Sequence, residues 1–266
     1  METKPSLNTV LKRLKLSGIL ATLPDRAAYA KKAPLSPEDF LELILQDEID
    51  RREENNLASR LTRANFDEVR ALESFDWEAP ITFDRDRVRD LFGLGFIDRA
   101  EDVLFLGPVG VGKTLLACCL GHAACRAGRR VLFLRADQML KELHQAQADH
   151  SRERAVRRLL APDLLIVDDF GLRRLDPAQS SDIYEVVIER HRRASTIFTS
   201  NRTIDEWIAL FDDPILAQSA IDRLAHNAYQ IVIEGDSYRR RLRPGQAPAL
   251  PTSVPTGSQR RRKRIP

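Results

Sequence analysis

The sequence predicts an α/β fold: a parallel sheet of five strands with helices on both faces, a small helical domain ahead of it and a basic tail behind it. Three observations carry that expectation. Five short apolar runs, Val103–Leu106, Val131–Leu134, Leu164–Val167, Thr196–Thr199 and Gln230–Ile233, have the length of buried strands. Helical patterns separate successive runs, and strands spaced by helices close most economically as a parallel sheet. Between the first strand and its helix lies a loop built to hold an anion, Gly107-Pro108-Val109-Gly110-Val111-Gly112-Lys113-Thr114.

Residues 1–75 are expected to be helical. Leu7, Val10, Leu11, Leu14, Leu16 and Ile19 fall at mixed spacings of three and four, and Phe40, Leu41, Ile44, Leu45, Glu48 and Ile49 repeat the pattern after Ser36-Pro37-Glu38 supplies a helix start. Phe75-Asp76-Trp77-Glu78-Ala79-Pro80 breaks the periodicity and marks the boundary of the α/β domain, which runs over 76–240. Residues 241–266 form the tail.

A chain of 266 residues, 43% hydrophobic and 30% charged, has the composition of a globular protein with a real core. No apolar run approaches the roughly 18 residues of a membrane span, and no signal-type run follows the N-terminus, so a cytoplasmic protein with no membrane partner is expected. Cys118, Cys119 and Cys125 lack metal spacing and read as small buried residues. The net charge of +3 conceals an asymmetry. Residues 237–266 hold nine basic side chains and no acid, which leaves the preceding residues six charges negative. Arg239, Arg240, Arg241, Arg243, Arg260, Arg261, Arg262, Lys263 and Arg264 flank a stretch rich in Pro, Ser, Thr and Gly, a pattern expected to be disordered and to seek polyanions. The groups Arg126/Arg129/Arg130, Arg152/Arg154/Arg157/Arg158 and Arg190/Arg192/Arg193 add to an expected footprint for double-stranded DNA, made through phosphates and therefore weakly sequence-selective. Nothing in the chain reads as a helix-turn-helix or zinc motif for base readout.

The loop at 107–114 implies ATP or a similar triphosphate with Mg2+. Gly110 and Gly112 let the backbone curl round a phosphate, Lys113 adds a point charge at the β and γ phosphates, and the Thr114 hydroxyl can ligate magnesium. The third strand ends in Asp168-Asp169, at the edge where open α/β sheets bind ligands. Asp168 fits a magnesium partner and Asp169 a group that polarises the attacking water. Asn201, just past the fourth strand, is placed to hold that water against the γ phosphate. Arg223, ahead of the fifth strand, is a candidate arginine finger for a neighbouring subunit, with surface pairing as the alternative. The candidate catalytic groups are therefore Lys113, Asp169, Asn201 and Arg223.

In this order on five strands, these residues resemble the AAA+ ATPases, a resemblance that implies the sheet order 5-1-4-3-2. Within them the chain is similar to the IstB-like ATP-binding helpers of insertion-sequence transposition, kin of the DnaC helicase loaders. The resemblance rests on Leu11-Lys12-Arg13-Leu14-Lys15-Leu16-Ser17-Gly18, Phe105-Leu106-Gly107-Pro108, Asp168-Asp169-Phe170-Gly171-Leu172, Thr199-Ser200-Asn201-Arg202, Leu216-Ala217-Gln218-Ser219-Ala220-Ile221-Asp222-Arg223-Leu224 and Gly235-Asp236-Ser237-Tyr238-Arg239. It implies a homo-oligomer that assembles around DNA with ATP and recruits or activates a partner transposase. A helicase loader is the alternative it leaves open, and a nucleotide-dependent DNA-binding module without hydrolysis is another. Asp-Asp stands where the wider pattern has Asp-Glu, which shortens the water-activating carboxylate by one methylene. With no room for a helical lid after residue 240, Arg239 is the candidate for a second sensor.

Overall fold

The computed structural model describes residues 5–33, 35–66 and 81–237. The segment 67–80 expected to hold the domain boundary, Arg239 and the basic tail lie outside them.

Three helices come first: α1 (Pro5–Arg13), α2 (Ser17–Lys32) and α3 (Pro37–Ala64). Leu11, Ile19 and Leu23 form their small core, backed by Phe40 and Ile44. The helix start read at Ser36 is a full capping box: Ser36 Oγ accepts from the Asp39 amide, the Asp39 carboxylate accepts from the Ser36 amide, and Pro37 sits at the first helical position. Such a cap stabilises a helix end by about 1 kcal/mol. The 28-residue α3 does not stay within this bundle. Its last turns place Ala64, with Leu57 and Leu61 beside it, in the core under the sheet.

Next come β1 (Ile81–Thr82), α4 (Arg85–Leu91), α5 (Gly95–Asp98), β2 (Asp102–Leu106), α6 (Lys113–Arg126), β3 (Val131–Arg135), α7 (Ala136–Ala148) and α8 (Arg152–Leu160). They are followed by β4 (Leu164–Phe170), α9 (Pro177–Arg190), β5 (Ser195–Ser200), α10 (Ile204–Ile208), α11 (Pro214–His226), β6 (Ala228–Val232) and β7 (Glu234–Gly235). All five expected strands are present, and they form a parallel sheet in the order β3-β4-β5-β2-β6. Numbered one to five along the chain, that is 5-1-4-3-2.

Alternation along the strands divides the core. Val103, Phe105, Val131, Phe133, Leu164, Ile166 and Ile197 face α3, α4 and α6. Leu104, Leu106, Leu132, Leu134, Leu165, Val167 and Phe198 face α7, α8, α9 and α11. Both faces are apolar because both are covered, the requirement of a parallel sheet. The two-residue strands β1 and β7 pair antiparallel in a separate small sheet that the sequence pattern did not announce.

One expectation fails. Arg190, grouped with Arg192 and Arg193 as a DNA contact, is 2% exposed. Its guanidinium donates to Thr196 Oγ1 (3.0 Å), Leu159 O (2.9 Å), Pro162 O (3.1 Å) and Ser195 O (2.5 Å), tying α8 and α9 to the start of β5. A charge so satisfied by carbonyls has nothing to offer a phosphate.

Candidate nucleotide site

The phosphate loop leaves β2 at Gly107 and enters α6 after Gly112, at the C-terminal edge of the sheet. Gly107, Gly110 and Gly112 have φ of +145°, +85° and +102°, where a side chain is strained. Space imposes the same choice, since a Cβ on Gly107 would stand 2.1 Å from Ile233 O. Gly112 stands at the N-cap of α6 and supplies no side-chain cap, so the first N–H groups of the helix are available to an anion.

Lys113 is buried, and its ammonium is held at three oxygens: Gly107 O (2.8 Å), Pro108 O (2.7 Å) and Asn201 Oδ1 (2.6 Å). Asn201 thus meets the loop lysine directly, from the end of β5. The next residue of α6, Thr114, donates from Oγ1 to Asp168 Oδ1 at 2.9 Å. Burial pushes the Asp168 carboxyl above its ordinary pKa, while hydrogen bonds from Thr199 and Thr114 oppose the shift. A buried carboxylate beside a hydroxyl at the ligand edge of a sheet is a hard-oxygen pair of the kind magnesium takes.

Asp169 stands where β4 slips against β5, between Val167 and Phe170, with φ of +56°. The slip interrupts the regular alternation of the strand at the two carboxylates. Its amide donates to Thr199 Oγ1 at 3.0 Å, and that hydroxyl donates on to Asp168 Oδ1 at 2.5 Å. Thr199 therefore holds both acids, a role that the sequence reading did not give it. Arg135 was also missed. It is the register partner of Asp168 on β3, and its charge favours the ionised carboxylate.

Lys113, Thr114, Asp168, Asp169 and Asn201 are thus one connected group, with Pro108, Val109 and Val111 carried in the loop. Arg223 does not join them. Its guanidinium donates to Ser219 O and Oγ one turn back along α11. That helix ends where Asn227 O accepts from the amide of Asp102, the first residue of β2, so Arg223 lies toward the opposite edge of the sheet. There it lies near Arg192 and His191; burial, then the charges of Arg192 and Arg223, lower the His191 pKa.

The donor set suits a nucleoside triphosphate: a glycine-shaped cradle, an uncapped helix N-terminus, one lysine and a hydroxyl–carboxylate pair. Comparison with known proteins agrees. Residues 9–245 match the family of IstB-like ATP binding proteins. A protein of Mycobacterium tuberculosis described as an ATP-binding protein in an insertion sequence is 40% identical over 243 residues, 91% of this chain and 97% of that one. An insertion sequence IS21 ATP-binding protein of Pseudomonas aeruginosa is 36% identical over 233 residues, 88% of each chain. Among solved structures, the DnaC helicase loader superposes with a TM-score of 0.52 at 20% identity, over 64% of this chain and 97% of that one, a likeness of fold. The match along nearly the whole chain, on an AAA+ sheet with its phosphate loop in place, shows that the protein belongs to the IstB-like ATP-binding family.

Proposed function

We propose that the protein is an ATPase whose nucleotide state governs its assembly on double-stranded DNA, in the service of a partner transposase in the cytoplasm. The observation that carries the hydrolytic part is the 2.9 Å bond between Thr114 and Asp168, which joins the phosphate loop to the carboxylate strand. In this reading Thr114 and Asp168 would hold magnesium. Bound magnesium supplies charge neutralisation at the β and γ phosphates. Lys113 exchanges its contacts with loop carbonyls for the phosphate oxygens, and Asn201, already in contact with that lysine, orients the attacking water. Asp169, aimed by its left-handed backbone and by Thr199, takes up the proton of that water.

Assembly is supported by the place of Arg223. An arginine remote from its own phosphate loop suits a neighbour's γ phosphate, so that triphosphate adds binding energy across a subunit interface. DNA binding is supported by the arginine-rich tail more than by the body of the domain. Arg129, Arg130, Arg152, Arg158 and Arg193 are engaged with Asp98, Asp163, Asp182 and Glu185, Glu142 and Glu189, respectively. The transposase is supported by relatives whose names place them in insertion sequences. Steady-state phosphate release, with and without duplex DNA, tests the enzyme. Lys113→Ala is expected to abolish it, and release that survives the substitution unchanged would sink the proposal.

A further inference from the structure

After β6 the chain does not leave the nucleotide site. It stays against the phosphate loop for several residues. Val232 pairs with Leu106, the last residue before the loop, and the Ile233 amide donates to Leu106 O at 2.8 Å. Ile233 O then occupies the space that a Cβ on Gly107 would need. Glu234 and Gly235 pair with Thr82 and Ile81, which fixes the course of the segment from its far side. Ser237 returns to the loop. A Cβ built on Gly110 would lie 2.1 Å from Ser237 Oγ, 3.0 Å from its Cβ and 3.4 Å from its Cα. Residues 233–237 are therefore a strap that lies against the loop at two of its three glycines.

We propose that Ser237 is a positioning residue of the nucleotide site: it buttresses Gly110, so that loop and strap move as one unit and occupancy of the loop by ATP is reported to the chain beyond residue 237. That chain begins Tyr238-Arg239-Arg240-Arg241-Leu242-Arg243. The inference uses ATP binding alone and stands or falls independently of hydrolysis, assembly and the transposase.

Glycines at 110 and 128 provide an internal control, because both have φ of +85° and nothing lies within 4 Å of a Cβ at Gly128. Gly128→Ala, at the far end of α6 from the loop, controls for a general loss of binding-competent protein when alanine replaces a left-handed glycine. Affinity for a fluorescent ATP analogue with magnesium is measured in Gly110→Ala, Ser237→Gly, the double variant and Gly128→Ala. The expected losses are at least ~30-fold for Gly110→Ala and ~3-fold for Ser237→Gly. The double variant should recover at least ~5-fold over Gly110→Ala, and Gly128→Ala should bind as wild type does. A double variant whose loss equals the product of the single losses overturns the buttress. Hydrogen exchange on the full-length wild-type chain tests the reporting. A non-hydrolysable ATP analogue should slow exchange at least ~3-fold in both 107–112 and 233–237. Slowing confined to 107–112 overturns the coupling.

Discussion

Thr199 accepts a hydrogen bond from the amide of Asp169 and donates one to the carboxylate of Asp168, from a fully buried position on β5. Replacing it with valine keeps the shape and removes both bonds, leaving a buried amide and a buried carboxylate short of a partner, at about 1–3 kcal/mol. Because Lys113 and the loop glycines are untouched, the loss should fall on kcat, about 10- to 100-fold, with ATP affinity within about 3-fold of wild type. Steady-state kinetics beside a direct binding measurement decides it, and an equal fall in both quantities would mean that the site has collapsed. The loop, Asp168, Asp169 and Asn201 were legible because each stands at a strand end in a spacing with chemical meaning. Thr199 was not, since a threonine in a strand is also what β-propensity supplies. Arg190 misled in the opposite sense: an arginine in the last turn of a helix reads as solvated, and only the packing of α8 and α9 puts carbonyls around it.

Below the sheet, β2 begins with a buried acid that no sequence pattern marks. Asp102 is 4% exposed and accepts from the Thr196 amide at 2.7 Å, which joins β2 to β5 at the N-terminal edge. Burial pushes its pKa up to about 7, against the opposing charge of Arg190. The folded state therefore holds this proton more tightly than the unfolded chain, whose value is near 3.8. Over that window the native form binds more protons, so the contribution of Asp102 to stability falls as pH rises from about 4 to about 7. Asp102→Asn keeps an acceptor for Thr196 and removes the titration. Its melting temperature should exceed that of wild type at pH 8, and the difference should shrink toward pH 4; parallel curves across this range would show that Asp102 does not titrate there. Strands as such were readable because short apolar runs flanked by helical patterns have few other solutions. Their order came from resemblance, and a pairing of two residues, as in β1 and β7, carries too little pattern to be seen at all.

Two predictions concern the whole molecule. If Arg223 completes a neighbour's site, an inactive Lys113→Ala protein and an inactive Arg223→Ala protein should regain phosphate release when mixed, reaching roughly a quarter of the wild-type rate. In such a mixture some interfaces combine an intact loop with an intact arginine, and mixtures no more active than their components would place Arg223 outside catalysis. Removal of residues 241–266 should weaken duplex binding and flatten its dependence on salt, because Arg129, Arg130, Arg152 and Arg158 on the folded body are engaged with acids. An unchanged salt slope would place the footprint on the folded body. At this scale the sequence marked an N-terminal helical segment, yet it had no means of showing that α3 belongs to two cores at once, since a helical period says which face is apolar and not what covers it. That shared helix has a mechanical consequence. At 1.5 Å per residue its 28 residues make a rod of ~42 Å, anchored at one end beside β3 and α6 and carrying α1 and α2 at the other. A tilt of only ~5° at the anchored end displaces the far end by ~4 Å, so α3 is a lever that turns small adjustments beneath the sheet into motions the size of a side chain.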